Sequence, residues 1–311
     1  MPSISRNTKI RFSLGIGFVL VVAVIIIVSA TFRTRPQKSD SGVIQVVAAE
    51  NFWGNIASQI GGDRVSVTSI ISDPNADPHL YESDAHDAAA LSLADIVIEN
   101  GIGYDDFMDK LLSASPKNNR AVLSVGKLLD VAGGDANPHI WYDISKMPRV
   151  AEAISTCLAA QAPRDKTLFE HNVHRFNQSL QPILNIIAKI KRNYPGAPVA
   201  YTERLPGYLI KAAGLTDKTP SNFAIAIEDG NSPSPLDSLA MDNLITDHQV
   251  KVLLYNAQVT SAVTQHIRDL AKQAGVPIVG VTETLPANES TYQSWQLDQV
   301  KALLHALENG K

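Results

Sequence analysis

The sequence predicts an α/β protein of two Rossmann-like lobes, each built on a mostly parallel sheet, joined by a long helical spine. Three observations carry this prediction. Strand-length apolar runs alternate with helical periodicity through residues 43–145, a strand-free helical stretch fills 146–195, and the alternation resumes over 196–311. Strands separated by helices pair in parallel through crossovers, with helices covering both sheet faces. Residues 1–42 stand outside this plan as a leader and tether.

In the first lobe Ile44 to Ala49 reads as a strand, Phe52 to Ile60 as a helix closed by Gly61-Gly62, and Val65 to Ile71 as a strand rich in β-branched residues. A helix from Ala85 to Leu93, a strand Ile96 to Glu99, a helix around Asp105 to Leu112 and a short strand Ala121 to Val125 follow. The helical stretch from Lys146 breaks at Ala162-Pro163. Beyond it Phe176, Leu180, Ile183, Ile187 and Ile190 recur at a 4-3-4-3 spacing, which places them on one stripe of a helix. Taken as one helix kinked at Pro182, Pro163 to Asn193 spans roughly 45 Å, enough for a rigid spine.

After Pro195-Gly196 the pattern predicts strand Val199 to Thr202, helix Tyr208 to Ala213, strand Phe223 to Ile227, helix Leu236 to His248 with Ser234 as its cap, and strand Val250 to Tyr255. Helix Thr260 to Ala274, strand Ile278 to Val281 and a final helix Tyr292 to Glu308 complete the second lobe.

The 311 residues are 45% hydrophobic and 19% charged, an ordinary globular balance with room for two domains. A formal net charge of -4 gives no basic face for nucleic acid. The one cysteine, Cys157, rules out an intramolecular disulfide and a multi-cysteine zinc site; its apolar helical neighbours Val150, Ile154 and Leu158 make it a small packing residue. At the N-terminus, Arg6, Lys9 and Arg11 precede an apolar run from Phe12 to Phe32, an export signal. Val28-Ser29-Ala30 suits cleavage, and the run is also about the ~20 residues that span a bilayer, so a retained anchor over residues 12–32 is the other reading. No cysteine stands near its end for lipid attachment. Both readings place the folded part outside the membrane.

Asp77-Pro78-His79-Leu80-Tyr81-Glu82 is echoed by Asn137-Pro138-His139-Ile140-Trp141-Tyr142. In each, proline fixes its own φ and pushes its predecessor out of the helical region, so the histidine sits on a stiff turn that can aim it. A lone Pro-His turn is more often structural; the repeated grammar is what favours a metal role. Ligands of open α/β sheets bind beyond the carboxyl ends of the strands, where Thr202-Glu203-Arg204 and Thr282-Glu283-Thr284 fall. His79, His139, Glu203 and Glu283 together form a donor set for one divalent ion, Zn2+, Mn2+ or Fe2+, in the cleft between the lobes. Glu203 beside Arg204 also reads as an ion pair, and Glu283 as a solvated loop residue. Tyr81 and Glu82 are candidates to orient His79. The remaining six histidines, including His171 and His174 one turn apart, read as surface or packing residues.

From Ile44 onward the sequence resembles the metal-binding extracytoplasmic solute-binding proteins of ABC importers for zinc and manganese. The resemblance rests on Asp77-Pro78-His79 with Tyr81-Glu82, Ala94 to Gly101, Asn137-Pro138-His139-Ile140-Trp141, the helical spine, and the segments Val199 to Gly214 and Gly275 to Leu285. It implies His79 and His139 as the first two ligands, Glu203 at the third position as in some manganese-type members, and Glu283 where the family usually has aspartate. The histidine-rich loop of many zinc-type members is absent, since Val131 to Ala136 directly precede Asn137.

The expected function is capture of a divalent metal ion and its delivery to an ABC permease with a separate ATPase subunit, because this sequence has no G-x-x-x-x-G-K-[ST] loop of its own. A monomer is expected. Two rival classes stand beside it, a metal-dependent hydrolase and an adhesin with a structural metal. A catalytic zinc keeps one position open for water and needs a nearby base, whereas four closing protein ligands suit transport.

Overall fold

The structure, a computed structural model, describes residues 42–73, 81–133 and 136–310. The N-terminal run and His79 with its neighbours at 74–80 lie outside the described residues. Contacts group Val43–Lys311 as one compact unit.

Two four-stranded parallel sheets organise that unit. The first has the order β2-β1-β3-β4, from β1 (Ile44–Glu50), β2 (Val65–Ile71), β3 (Ile96–Glu99) and β4 (Ala121–Ser124). The second repeats it as β6-β5-β7-β8, from β5 (Pro198–Tyr201), β6 (Thr216–Asp217), β7 (Val252–Asn256) and β8 (Ile278–Val281). In both, the chain leaves the first strand toward one side and returns on the other. The crevice between β1 and β3, and that between β5 and β7, is therefore where a ligand-binding gap opens at the strand ends.

The helices of the first part are α1 (Asn51–Gly61), α2 (Ala85–Leu93), α3 (Phe107–Ala114) and the single turn α4 (Val125–Leu128). Then come α5 (Met147–Gln161), α6 (Lys166–Ser179) and α7 (Gln181–Asn193), and in the second part α8 (Gly207–Ala212), α9 (Ser221–Glu228), α10 (Pro235–Thr246), α11 (Ala262–Ala274) and α12 (Tyr292–Asn309). Ser234 caps α10 as expected, accepting from Asp237 N at 3.1 Å.

Two elements differ from the sequence reading. Phe223 to Ile227 is helical, within α9, and Thr216–Asp217 supplies the fourth strand instead. The alternating Phe223, Ile225 and Ile227 mimic a strand, but the buried positions are 223, 224 and 227, a helical spacing, with Ile225 half-exposed. The 163–193 rod is also divided. Pro182 lies in the first turn of a new helix, where its lost N–H costs nothing, so it starts α7 rather than bending a continuous helix.

Strand alternation distributes the apolar residues among three cores. Val46, Ala48, Ile96 and Ile98 of the first sheet share one central core with Val199, Val252, Leu254 and Val279 of the second. Helices α1, α5, α6, α7 and α12 fill it between them, and half-buried Cys157 packs at its margin as an apolar residue. The opposite faces, Val47, Ala49 and Val97 on one sheet and Ala200 and Leu253 on the other, each bury a separate outer core.

The sheets are also tied by hydrogen bonds along α1, where Asn51, Asn55 and Gln59 recur every fourth residue on one face. Asn51 exchanges both amide bonds with the backbone of Leu285 at 2.9 Å, Asn55 bonds Ser290 O and Tyr292 N, and Gln59 exchanges bonds with Gln293. Replacing Asn51 by alanine strands both Leu285 groups, and urea unfolding of Asn51→Ala is expected to show a loss of about 1–3 kcal/mol.

At the end of β1, Glu50 is fully buried and neither carboxyl oxygen has a hydrogen-bond partner among the described residues. Desolvation, reinforced by Asp105 and Glu99, pushes its pKa well above the ordinary carboxyl range. Desolvation also raises Asp105 to about 6, against the hydrogen bonds it accepts from the backbone of Gly101 and Asn100. Both groups hold a proton more tightly folded than unfolded. Their contribution to stability is complete below pH ~4 and is lost as pH rises through the folded values. The melting temperature of metal-free Glu50→Gln should therefore exceed wild type at pH 7.5, and the gap should close at pH 4.5.

Candidate metal centre

His139 is placed by the turn its sequence dictates. Asn137 Oδ1 accepts from the backbone N–H of His139 at 3.0 Å and lies 2.7 Å from its Nδ1. The other end of the same amide donates to Arg204 O at 2.7 Å, which fixes Oδ1 as the acceptor. Nδ1 therefore carries a proton, and Nε2 is the nitrogen left to bind a metal ion. The ring is completely buried, edge-on to Tyr104 and Trp141, and Trp141 stacks on Phe52 with centroids 4.3 Å apart. Pro138 and the following turn lock this segment, since Asn100 Nδ2 donates to Pro138 O at 3.0 Å and Tyr208 donates to Asn137 O at 2.9 Å.

Glu203 follows β5, two residues past its end, and is 2% exposed. Its neighbour Arg204 forks onto Glu228, with Nε donating to Oε2 at 2.9 Å and a terminal nitrogen to Oε1 at 2.7 Å. The ion pair anticipated at this strand end is thus formed by Arg204 with Glu228. Glu203 Oε2 accepts from Asn256 Nδ2 at 2.8 Å.

Glu283 follows β8 in the same way and is fully buried, so it is not a solvated loop residue. Its loop is held from several sides. Gln258 Oε1 accepts from the N–H groups of Glu283 and Thr284, Trp295 Nε1 donates to Thr282 Oγ1, and Asn51 holds Leu285. Its carboxylate accepts from Asn256 Nδ2 on Oε1 at 3.2 Å and from the Tyr104 hydroxyl on Oε2 at 3.4 Å.

Glu283 Oε1 lies 3.7 Å from His139 Nε2. The distance is beyond a hydrogen bond, and two potential metal-donor atoms face one another. Donors bound at about 2.1 Å to one tetrahedral ion lie roughly 3.4 Å apart, so the observed spacing is close to that of two ligands of a single cation. The structure thus brings His139 to Glu283 directly and Glu203 to Glu283 through the Asn256 amide, all of them buried; His79 lies outside the described residues. Tyr81 turns its hydroxyl to Asp87 Oδ2 at 2.8 Å and its ring against Phe107.

Sequence reasoning passed over Asn256, which touches both glutamates, and Gln258, which holds the Glu283 loop. The strand-end rule that selected Glu203 and Glu283 applies equally to the end of β7, where Asn256 stands. Among the described residues the one trio of His, Cys, Asp or Glu whose ligand atoms all lie within 4.8 Å of one another is Asp84, His86 and Asp87. Asp84 and Asp87 form the capping box of α2, and the positive end of a helix disfavours a cation.

MtsA of Streptococcus pyogenes serotype M1, named an iron ABC transporter substrate-binding lipoprotein, is 25% identical over 93% of this chain and 97% of its own. MntA of Bacillus subtilis, named a manganese-binding lipoprotein, is 24% identical over 76% of this chain and 79% of its own. The periplasmic zinc binding protein TroA of Treponema pallidum has the same fold, with a TM-score of 0.73 and 19% identity over 86% of this chain and 99% of that one. FpvC of Pseudomonas aeruginosa, solved in complex with Mn2+, aligns with a TM-score of 0.71 and 19% identity over 85% of this chain and 98% of that one. The profile of one family matches residues 46–306, nearly the whole of the compact unit, and the chain belongs to that family, described as zinc-uptake complex component A, periplasmic.

Proposed function

We propose that this chain captures one divalent transition metal ion outside the cytoplasmic membrane, using His79, His139, Glu203 and Glu283, and delivers it to an ABC-type permease. The observation that carries the reading is the 3.7 Å approach of His139 Nε2 to Glu283 Oε1 in a fully buried site, with Glu203 joined to Glu283 through one amide. As a substrate-binding protein of a metal importer the chain is not an enzyme, and the energy of transport comes from a partner ATPase. Residues 43–145 and 196–311 act as the two lobes, 146–195 as the spine between them, and the chain works as a monomer tethered or released through residues 1–42.

The cargo follows from the donors. Carboxylates are harder ligands than imidazoles, so two of each suit Mn2+ or Fe2+ better than a set of three histidines would. Zn2+ still binds tightly, by the general affinity order of divalent metals. The relatives named for iron, manganese and zinc span the same range. Those relatives named as lipoproteins carry a lipid, whereas the one cysteine here is Cys157, in α5. If the chain stays tethered, we assign that role to the apolar run at residues 12–32 rather than to a lipid.

Purified residues 43–311 should hold about one metal ion per chain by elemental analysis. His79→Ala and His139→Ala should each abolish this, and retention of full occupancy in both would remove the site. In competition titrations Zn2+ should displace bound Mn2+ at equal total concentration, and failure to do so would mean a geometry that excludes four-coordinate ions.

A further inference from the structure

We propose that Asn256 is the positioning residue of this site, a single amide that holds the two glutamates as one preformed pair and thereby sets metal affinity. The inference rests on Glu203 and Glu283 being ligands. It goes further in naming what keeps two buried carboxylates together when their mutual repulsion would part them.

The geometry is specific. Asn256 ends β7, between β5 and β8, so its side chain leaves the sheet between the strands that deliver Glu203 and Glu283. Its nitrogen Nδ2 donates to Glu203 Oε2 at 2.8 Å and to Glu283 Oε1 at 3.2 Å, which uses both of its hydrogens. The orientation of the amide is fixed from the other side, because Oδ1 accepts from Gln258 N at 3.0 Å. The backbone N–H of Asn256 in turn points to Thr202 Oγ1 at 3.3 Å, next to Glu203. Asn256 is 2% exposed, so water does not substitute for these bonds. A neutral donor leaves the charge of both carboxylates intact, whereas a lysine or arginine here would cancel the attraction for a cation.

A donor role and a space-filling role make opposite predictions for two variants. Asn256→Leu keeps the branched heavy-atom shape and removes both hydrogens; Asn256→Ser loses volume and keeps one donor. Zn2+ and Mn2+ affinities of residues 43–311 should fall about 10–100-fold in Asn256→Leu, with a smaller loss in Asn256→Ser. The visible spectrum of bound Co2+, which reports ligand geometry, should change in Asn256→Leu and stay near wild type in Asn256→Ser. Affinity within twofold of wild type in Asn256→Leu, or a larger loss in Asn256→Ser than in Asn256→Leu, would overturn the proposal. Glu203→Gln and Glu283→Gln are measured beside them. If these bind like wild type, the ligand assignment itself falls; if they lose metal while Asn256→Leu does not, the ligand assignment stands and the positioning role alone is refuted.

Discussion

A single apolar core shared by both sheets is the constraint on which the site depends. Each sheet is parallel and must be covered on both faces. Here the inner faces are covered by the same helices, so Val46 and Ile98 of one sheet and Leu254 and Val279 of the other belong to one continuous packing. The amide ladder of α1 adds direction to that non-directional contact, fixing Leu285 to Tyr292 against the N-terminal half. Donors from opposite halves, His139 and Glu283, can then meet within 3.7 Å.

Burial decides the chemistry of the meeting point. A carboxylate removed from water needs hydrogen-bond donors or a counter-charge. Around Glu203 and Glu283 the donors include an asparagine amide and a tyrosine hydroxyl, both neutral, and they direct the oxygens without adding a positive charge. Glu50 shows the other outcome in the same fold. It stands at the end of the first strand of its sheet, as Glu203 does beyond β5, but Asn100 at the end of β3 turns its amide to Pro138 O and Gly101 O. Removed from water and set beside Asp105 and Glu99, Glu50 is driven toward the neutral acid.

The strands of the first sheet and the order of elements were legible because short apolar runs rich in β-branched residues, punctuated by glycine and proline, have few other solutions. Val65–Ile71, Ile96–Glu99 and Ile278–Val281 fall where the letters put them. Thr216–Asp217 was not legible, since two residues on a sheet edge carry no periodicity, and the nearby Phe223 to Ile227 offered a false one. At the site, the strand-end rule and the two Pro-His turns found residues that donate charge or lone pairs. They did not reveal Asn256 or Gln258, because amides serve by orientation, and orientation depends on which strands become neighbours.

Tyr104, which reaches Glu283, is delivered by three successive residues with positive φ, Gly101 at 73°, Ile102 at 63° and Gly103 at 77°. For a β-branched residue that conformation costs about 1–2 kcal/mol. Ile102 lies against Gly126, where even one added carbon would come within 2.4 Å of its Cγ1. A side chain at position 126 is therefore admitted only if residue 102 moves, and residue 102 sits on the turn that carries Tyr104 to Glu283.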